Sequence, residues 1–328
     1  MIARLKSTKP NAEHLVYFLP DVFPCFNRYG FATELARHYD LTLIFYRGLT
    51  EQEIARSVQD LINGDRPVDV VLTDTNGQKV RTEHLAALRD AFGCKMAKYW
   101  VDIRDGVPAL IRERAHLLDL LLWTNMCPDR KSEIEAMGTR VLFLWPESNP
   151  SFYFPIPATT KRYDVAFAGN NAREHFPHAA ARNEIIKQVN DKYRLNLMGK
   201  NWDEIKPGCR FLVDKRDTNT EYQKARCALS ISQFRDVYGY SSDRLGNCIL
   251  SGVPTVMQTF PGWQELVDPD WIWTFDEDPS EAIDEILADE QAANERAIQA
   301  REAFYARYNR GIWADTIYRE VTACPRRS

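Results

Sequence analysis

Short, continuous apolar runs recur along this chain, and between them apolar positions return every three or four residues. In the first half the runs occupy residues 14–19, 41–46, 68–73, 98–101, 118–124 and 140–145. The stretches 29–38, 51–63 and 84–92 carry the helical period, and Thr50 stands as a possible N-cap of the second. Strands that are apolar throughout are buried on both faces, and amphipathic helices are what covers them. The first half therefore predicts a doubly wound α/β domain around a parallel sheet.

Trp145-Pro-Glu-Ser-Asn-Pro-Ser-Phe-Tyr-Phe-Pro-Ile-Pro157 breaks both periods and reads as a connection between domains. The pattern then restarts. Strands at 163–168, 193–198, 227–232 and 253–257 alternate with helices at 179–192, 221–226 and 242–251, and one or two helices cover 280–308. The expectation is two Rossmann-like domains, 1–157 and 158–305, followed by a final segment, 306–328. No internal repeat relates the halves.

Composition narrows the class. At 328 residues, 45% hydrophobic and 27% charged, the chain can bury a sizeable core as a soluble globular protein. The net charge of −4 does not point to a polyanion binder, although a local basic groove is compatible with it. Cys25, Cys94, Cys127, Cys209, Cys227, Cys248 and Cys324 show no C-x-x-C spacing, which predicts reduced thiols and a cytoplasmic location. Residues 1–11 are polar and basic without the apolar stretch of a secretory signal. The longest apolar run, 117–123, is far too short to span a membrane.

Ligands of open α/β sheets bind beyond the carboxyl ends of the strands. Three strand ends of the second half carry suitable residues: Gly169-Asn170-Asn171, Gly199-Lys200, and the segment that starts at Tyr240. Glycine there admits close backbone approach to a phosphate, or makes a plain turn. Ser241, Ser242 or Asp243 can cap a helix whose N-terminus attracts anions. Arg244 then opposes the helix dipole, which a bound diphosphate explains; pairing with Asp243 or another carboxylate is the alternative. Asn247, three residues on, shares its face. Gly252 suits the C′ position. Trp202, Tyr240 and Trp263 fall on ligand-side loops, where an aromatic ring suits a sugar or a base.

The order small polar residue, Arg244, Asn247, Gly252-Val-Pro254 and a β-branched strand resembles the donor-site helix of GT-B glycosyltransferases. The similarity is to the family-1-like and spore-maturation-type subgroup. Phe260-Pro-Gly-Trp-Gln-Glu265, Asp164-Val-Ala-Phe-Ala-Gly169, Arg182, Leu197-Met-Gly199 and residues 222–232 resemble further landmarks in the same order, over about residues 160–320. The resemblance implies two Rossmann-like domains facing across a cleft, with the last helix crossing back to the N-terminal domain through Phe304, Tyr308, Trp313 and Tyr318. It implies a nucleoside-diphosphate sugar as donor, UDP- or GDP-linked, bound with the help of Arg182 and Glu265, and catalysis without an essential metal or other cofactor. Many relatives carry a glutamate for the donor ribose where this chain has Asn247.

By the same resemblance the hydroxyl acceptor binds the N-terminal domain, and Arg28 and Gly30 lie on a loop that approaches the donor. The acceptor is open: a glycan, a protein, a small molecule or a hydroxylated DNA base, the last not indicated by net charge. An inverting reaction needs a base, for which Asp102 is the first choice and Asp21 the second. Asp268-Pro-Asp270 matches a metal-binding D-x-D pattern but sits in a polar turn, and His175 and His178 lack the company a metal needs. The competing readings are a non-catalytic two-lobed binding protein and a nucleotide-sugar epimerase.

Overall fold

The computed structural model describes residues 2–20, 27–74, 79–100, 106–145, 149–171, 176–212 and 215–325. It divides into two compact units, Met1–Trp145 with Asn309–Ser328, and Pro146–Tyr308.

The first unit contains β1 (Ile2–Leu5), β2 (His14–Leu19), α1 (Asn27–Leu35), β3 (Asp40–Phe45), α2 (Glu51–Ile62), β4 (Val70–Asp74), α3 (Thr82–Phe92), β5 (Lys95–Trp100), α4 (Ala109–Arg114), β6 (Leu120–Trp123), α5 (Pro128–Ala136) and β7 (Arg140–Phe143). Among the described residues its sheet runs β1-β3-β2-β4-β5-β6-β7. All pairings are parallel except that of β1 with β3. The predicted strands are found, with bounds shifted by a few residues. β2 is buried at every position, as its unbroken apolar run requires. Thr50 caps α2 in a full capping box with Glu53, at 3.2 Å and 2.7 Å. β1 has no counterpart in the hydrophobic pattern. It is an edge strand with Ile2 half exposed, so it needs no apolar run.

The second unit contains β8 (Tyr163–Ala168), α6 (Ala179–Lys192), β9 (Leu195–Met198), α7 (Lys215–Gln223), β10 (Ala225–Ser230), α8 (Asp243–Leu250), β11 (Thr255–Gln258), β12 (Trp273–Phe275), α9 (Ser280–Ala288) and α10 (Glu290–Tyr308). Its sheet is parallel throughout, in the order β12-β11-β10-β8-β9. Val165, Phe167, Leu197, Leu229 and Val256 build the core with Ile186 and Ile283 from the helices. The helix expected at 221–226 lies earlier, and Arg226 belongs to β10, where it pairs with Asp164 and Glu290. The proline-rich segment packs on this unit, because the Phe154 carbonyl accepts from Asn219 and Gln223 of α7 at 2.9 and 3.3 Å.

The last helix, α11 (Arg310–Ala323), returns to the first unit and packs on α1. Trp313, Ala314, Ile317 and Val321 are its buried face. Tyr318 stacks on His38 at 4.6 Å, His38 Nε2 lies 2.6 Å from Asp315, and Lys95 donates to the carbonyls of Val321 and Thr322. Phe304 and Tyr308 belong to the second unit. They close the second unit, Phe304 against Trp271 at 6.2 Å and the Tyr308 hydroxyl on the Leu266 carbonyl at 2.7 Å.

Candidate active site in the second unit

In the second sheet the chain leaves β8 toward β9 on one side, then returns to the other side with β10. The carboxyl ends of β8 and β10 therefore form a topological switch point, where such sheets bind ligands. Arg244, in the first turn of α8, lies across it. Its Nε donates to the Ala168 carbonyl at 2.5 Å and its Nη1 to the Ile231 carbonyl at 2.7 Å, so one guanidinium straps the two strand ends. Phe167 supports the cation from below at 4.7 Å. Neither Asp243 nor any other carboxylate among the described residues forms an ion pair with it, so the pairing alternative is not what is found.

Gly169 owes its identity to this arginine. A Cβ there would sit 2.6 Å from Nη2 and 3.2 Å from the Phe167 ring. Gly199 is constrained by Gly169 in turn. Its φ of +144° is one that side-chain-bearing residues rarely adopt, and a Cβ would run into the Gly169 carbonyl, 2.7 Å from its carbon. The two turns are held together by Gly169 N–H on the Met198 carbonyl and Trp202 Nε1 on the Gly169 carbonyl, at 2.9 and 2.6 Å.

A pocket of about 260 Å³ opens over these turns, lined by Gly169, Asn170, Gly199, Asp243, Arg244 and Asn247 together with Tyr153, Phe211, Leu212 and Tyr222. Asn247 is buried. Its Nδ2 donates to Asp243 at 3.3 Å, while Oδ1 is an acceptor with no partner among the described residues, suited to a ligand hydroxyl. A larger cavity of about 390 Å³ in the first unit lies at the amino ends of β2 and β3, around His14 and Asp40. There Arg66 and Lys6 already neutralise Asp40, at 2.7 and 3.2 Å, and the strand ends are the wrong ones for a ligand.

Several residues expected to touch the donor support the site from behind it. Arg182 is buried on α6, donating from Nη2 to the Asn170 carbonyl at 2.6 Å, with its guanidinium over Phe167 and Trp202. Burial, and then the Arg244 charge, push its pKa down to about 9. Trp202 is not an exposed platform but a core side chain. Asn171 is buried as well, taking a hydrogen bond from Asn183 on Oδ1 and one from Asn201 on its carbonyl. Lys200 is exposed, and its backbone N–H donates to Asn170 Oδ1 at 3.0 Å. Ser242 is the N-cap of α8 by backbone geometry, without a side-chain cap bond, and Ser241 is buried against it. Tyr240 packs edge-on to Phe234 at 5.8 Å. Glu265 and Trp263 form a short 3-10 turn outside the pocket lining, where Glu265 accepts from Tyr238.

Asp21 and Asp102 lie outside the described residues, as does His175. Arg28 and Gly30 fall on α1, in a stretch whose side chains are not described. Asp268 only caps the Asp270 N–H, and no group of metal-binding side chains occurs among the described residues. Tyr153, Thr218, Tyr222 and Phe211 line the pocket without having been singled out as ligand contacts. Asp243, expected only as a helix cap or as a partner of Arg244, lines it too.

Residues 173–318 match a family model described as glycosyl transferase-like. Sucrose-phosphate synthase from Thermosynechococcus elongatus superposes with a TM-score of 0.62 at 12% identity, over 95% of this chain and 100% of that one. The Anabaena protein HepE, in complex with UDP and glucose, gives 0.60 at 12% identity, over 95% and 100%. A glycosyltransferase from Rickettsia africae gives 0.63 at 9%, over 96% and 100%. A search of curated proteins by sequence finds no match. The fold is that of the GT-B class. The glycosyl transferase-like match lies in the second unit and in the last helix, α11.

Proposed function

We propose that the chain moves a sugar from a UDP- or GDP-linked donor to a hydroxyl acceptor, with the donor diphosphate held at Arg244. The observation that carries this is a guanidinium fixed across the switch point, with a second, buried arginine behind it and no carboxylate among the described residues paired with either. Paired guanidinium charges need an anion, and a phosphate suits a planar donor. The HepE complex with UDP and glucose supports the same ligand chemistry. As the glycosidic bond breaks, negative charge grows on the leaving diphosphate, and a preorganised cation stabilises that change. In this reading the arginines, not a metal ion, supply that charge.

Gly169 and Gly199 keep the strand ends free of side chains, so that the phosphates can approach the backbone. The acceptor hydroxyl's proton is assigned to Asp102, with Asp21 as second choice, from their predicted positions after strands of the first half. No helix among the described residues is long and apolar enough to cross a membrane, and a cytoplasmic site of action is proposed. The test is a panel of UDP- and GDP-sugars incubated with the purified chain, with and without EDTA, reading released nucleoside diphosphate. Slow release from one donor, insensitive to EDTA, is expected. Failure to bind or cleave any donor would remove the donor assignment, and loss of turnover in EDTA would remove the metal-independent one.

A further inference from the structure

Two buried side chains hold the backbone at Asn170 from behind the pocket. Trp202 Nε1 donates to the Gly169 carbonyl at 2.6 Å, and Arg182 Nη2 donates to the Asn170 carbonyl at 2.6 Å. The indole reaches its carbonyl past Gly199, where a Cβ would stand 3.0 Å from Nε1. Trp202 is itself held, 1% exposed and edge-on to the Phe167 ring at 5.9 Å.

A trans peptide is planar, and its C=O and N–H point in opposite directions. A Gly169 carbonyl turned onto Trp202 therefore sends the Asn170 N–H the other way. Strand alternation gives the same direction. The N–H groups of Gly169 and Asn171 turn toward β9, onto the carbonyls of Met198 and Lys200, each at 2.9 Å, so the N–H between them turns toward β10. There the ladder has ended at Ser230, and the next carbonyl, that of Ile231, is taken by Arg244. The Asn170 N–H has no partner among the described residues. Neither has Arg244 Nη2, which lies 2.6 Å from the place of a Cβ on Gly169, the preceding residue. Asn170 and Arg244 both line the pocket. Two open donors this close, one of them charged, suit an anionic oxygen.

We infer that Trp202 is a positioning residue: its indole N–H sets the Gly169–Asn170 peptide so that the Asn170 N–H and Arg244 grip one phosphate together. This rests on the diphosphate reading of the pocket and adds a backbone donor and the side chain that aims it. Without the indole N–H the Gly169 carbonyl loses its partner, and the peptide can rotate and take the Asn170 N–H with it.

The test follows the Asn170 amide by NMR, in a chain carrying isotope-labelled asparagine, while inorganic diphosphate is added. Loss of the signal in Asn170→Asp identifies it. In the native chain the amide proton should move downfield as diphosphate saturates the site. Trp202→Phe and the isosteric Trp202→benzothienylalanine, which puts sulfur in place of the N–H, should lose most of that shift. Both should bind UDP and inorganic diphosphate more weakly by roughly 10-fold or more, the effect of one hydrogen bond to a charged group. A merely structural role would lower the unfolding midpoint and leave amide shift and affinity unchanged, and that result overturns the inference. If Trp202→Phe fails to fold, Trp202→benzothienylalanine, which keeps the indole's shape, decides. A stationary Asn170 amide in a native chain that binds diphosphate also overturns it, while the donor reading stands. If the native chain binds neither UDP, GDP nor inorganic diphosphate, the donor reading has failed and this inference with it.

Discussion

Arg244→Ala separates two roles that one side chain combines. In the folded protein its Nε and Nη1 satisfy the carbonyls of Ala168 and Ile231 at 2.5 and 2.7 Å. Hydrogen bonds from a charged donor contribute about 1.5–3 kcal/mol each, less where water can replace them. Ile231 is fully buried, but Ala168 is at the pocket margin, so one bond counts nearly in full and the other in part. The variant should therefore unfold with a loss of about 2–4 kcal/mol, visible as a lower denaturant midpoint by circular dichroism. For the ligand, losing even one charge-assisted bond to a phosphate oxygen costs about 1.5–3 kcal/mol, or roughly 10- to 150-fold in affinity for UDP or GDP. Calorimetry well below the onset of unfolding measures that loss on folded protein. Arg244→Lys keeps the charge but not the fork, and should fall between the two. A folded Arg244→Ala protein with native affinity would refute the anion role. One with native stability would refute the strap between β8 and β10.

Two further substitutions probe other parts of the molecule. Gly169→Ala meets only the far end of a flexible arginine and the Phe167 ring, while Gly199→Ala meets the Gly169 backbone and takes a forbidden φ. Gly199→Ala should cost about 4 kcal/mol or more and yield little soluble protein, and Gly169→Ala should fold but bind nucleotide more weakly; equal expression and stability of the two would contradict this. In the first unit, Lys98 is fully buried, and burial pulls its pKa from the ordinary 10.5 down to about 7. The unfolded chain then binds the extra proton between those values, so stability should rise by about 1.4 kcal/mol per pH unit across that window. Lys98→Met should flatten the rise, and an unchanged slope of denaturation midpoint against pH would contradict the shift.

The alternation of apolar runs with amphipathic stretches determined the α/β class, most of the strands and the restart of the pattern after the prolines. Burial on both faces of a parallel sheet writes itself directly into continuous runs such as 14–19 and 163–168. β1 escaped because an edge strand needs no such run, and β12 because Trp273–Phe275 is too short to show a period. The strand ends that carry Gly169, Gly199 and the helix of Arg244 were also visible, since ligand sites in these sheets follow from strand direction. Depth was not. Arg182, Asn171 and Trp202 have ligand-like chemistry and the right local position, yet packing turns them inward as supports, and Glu265 is turned onto Tyr238.

What only the tertiary structure decided is which side chains converge. Phe211 and Tyr153 come from a loop and from the proline-rich segment, neither of which has a period to read. Tyr153 reaches the pocket because the chain at Phe154 is tied to α7, and Phe211 because Arg210 is tied to Gly199. Periodicity reports which face of an element is covered. It carries no information about which distant loop is brought to the edge of that cover, and in this protein those loops complete the lining of the pocket.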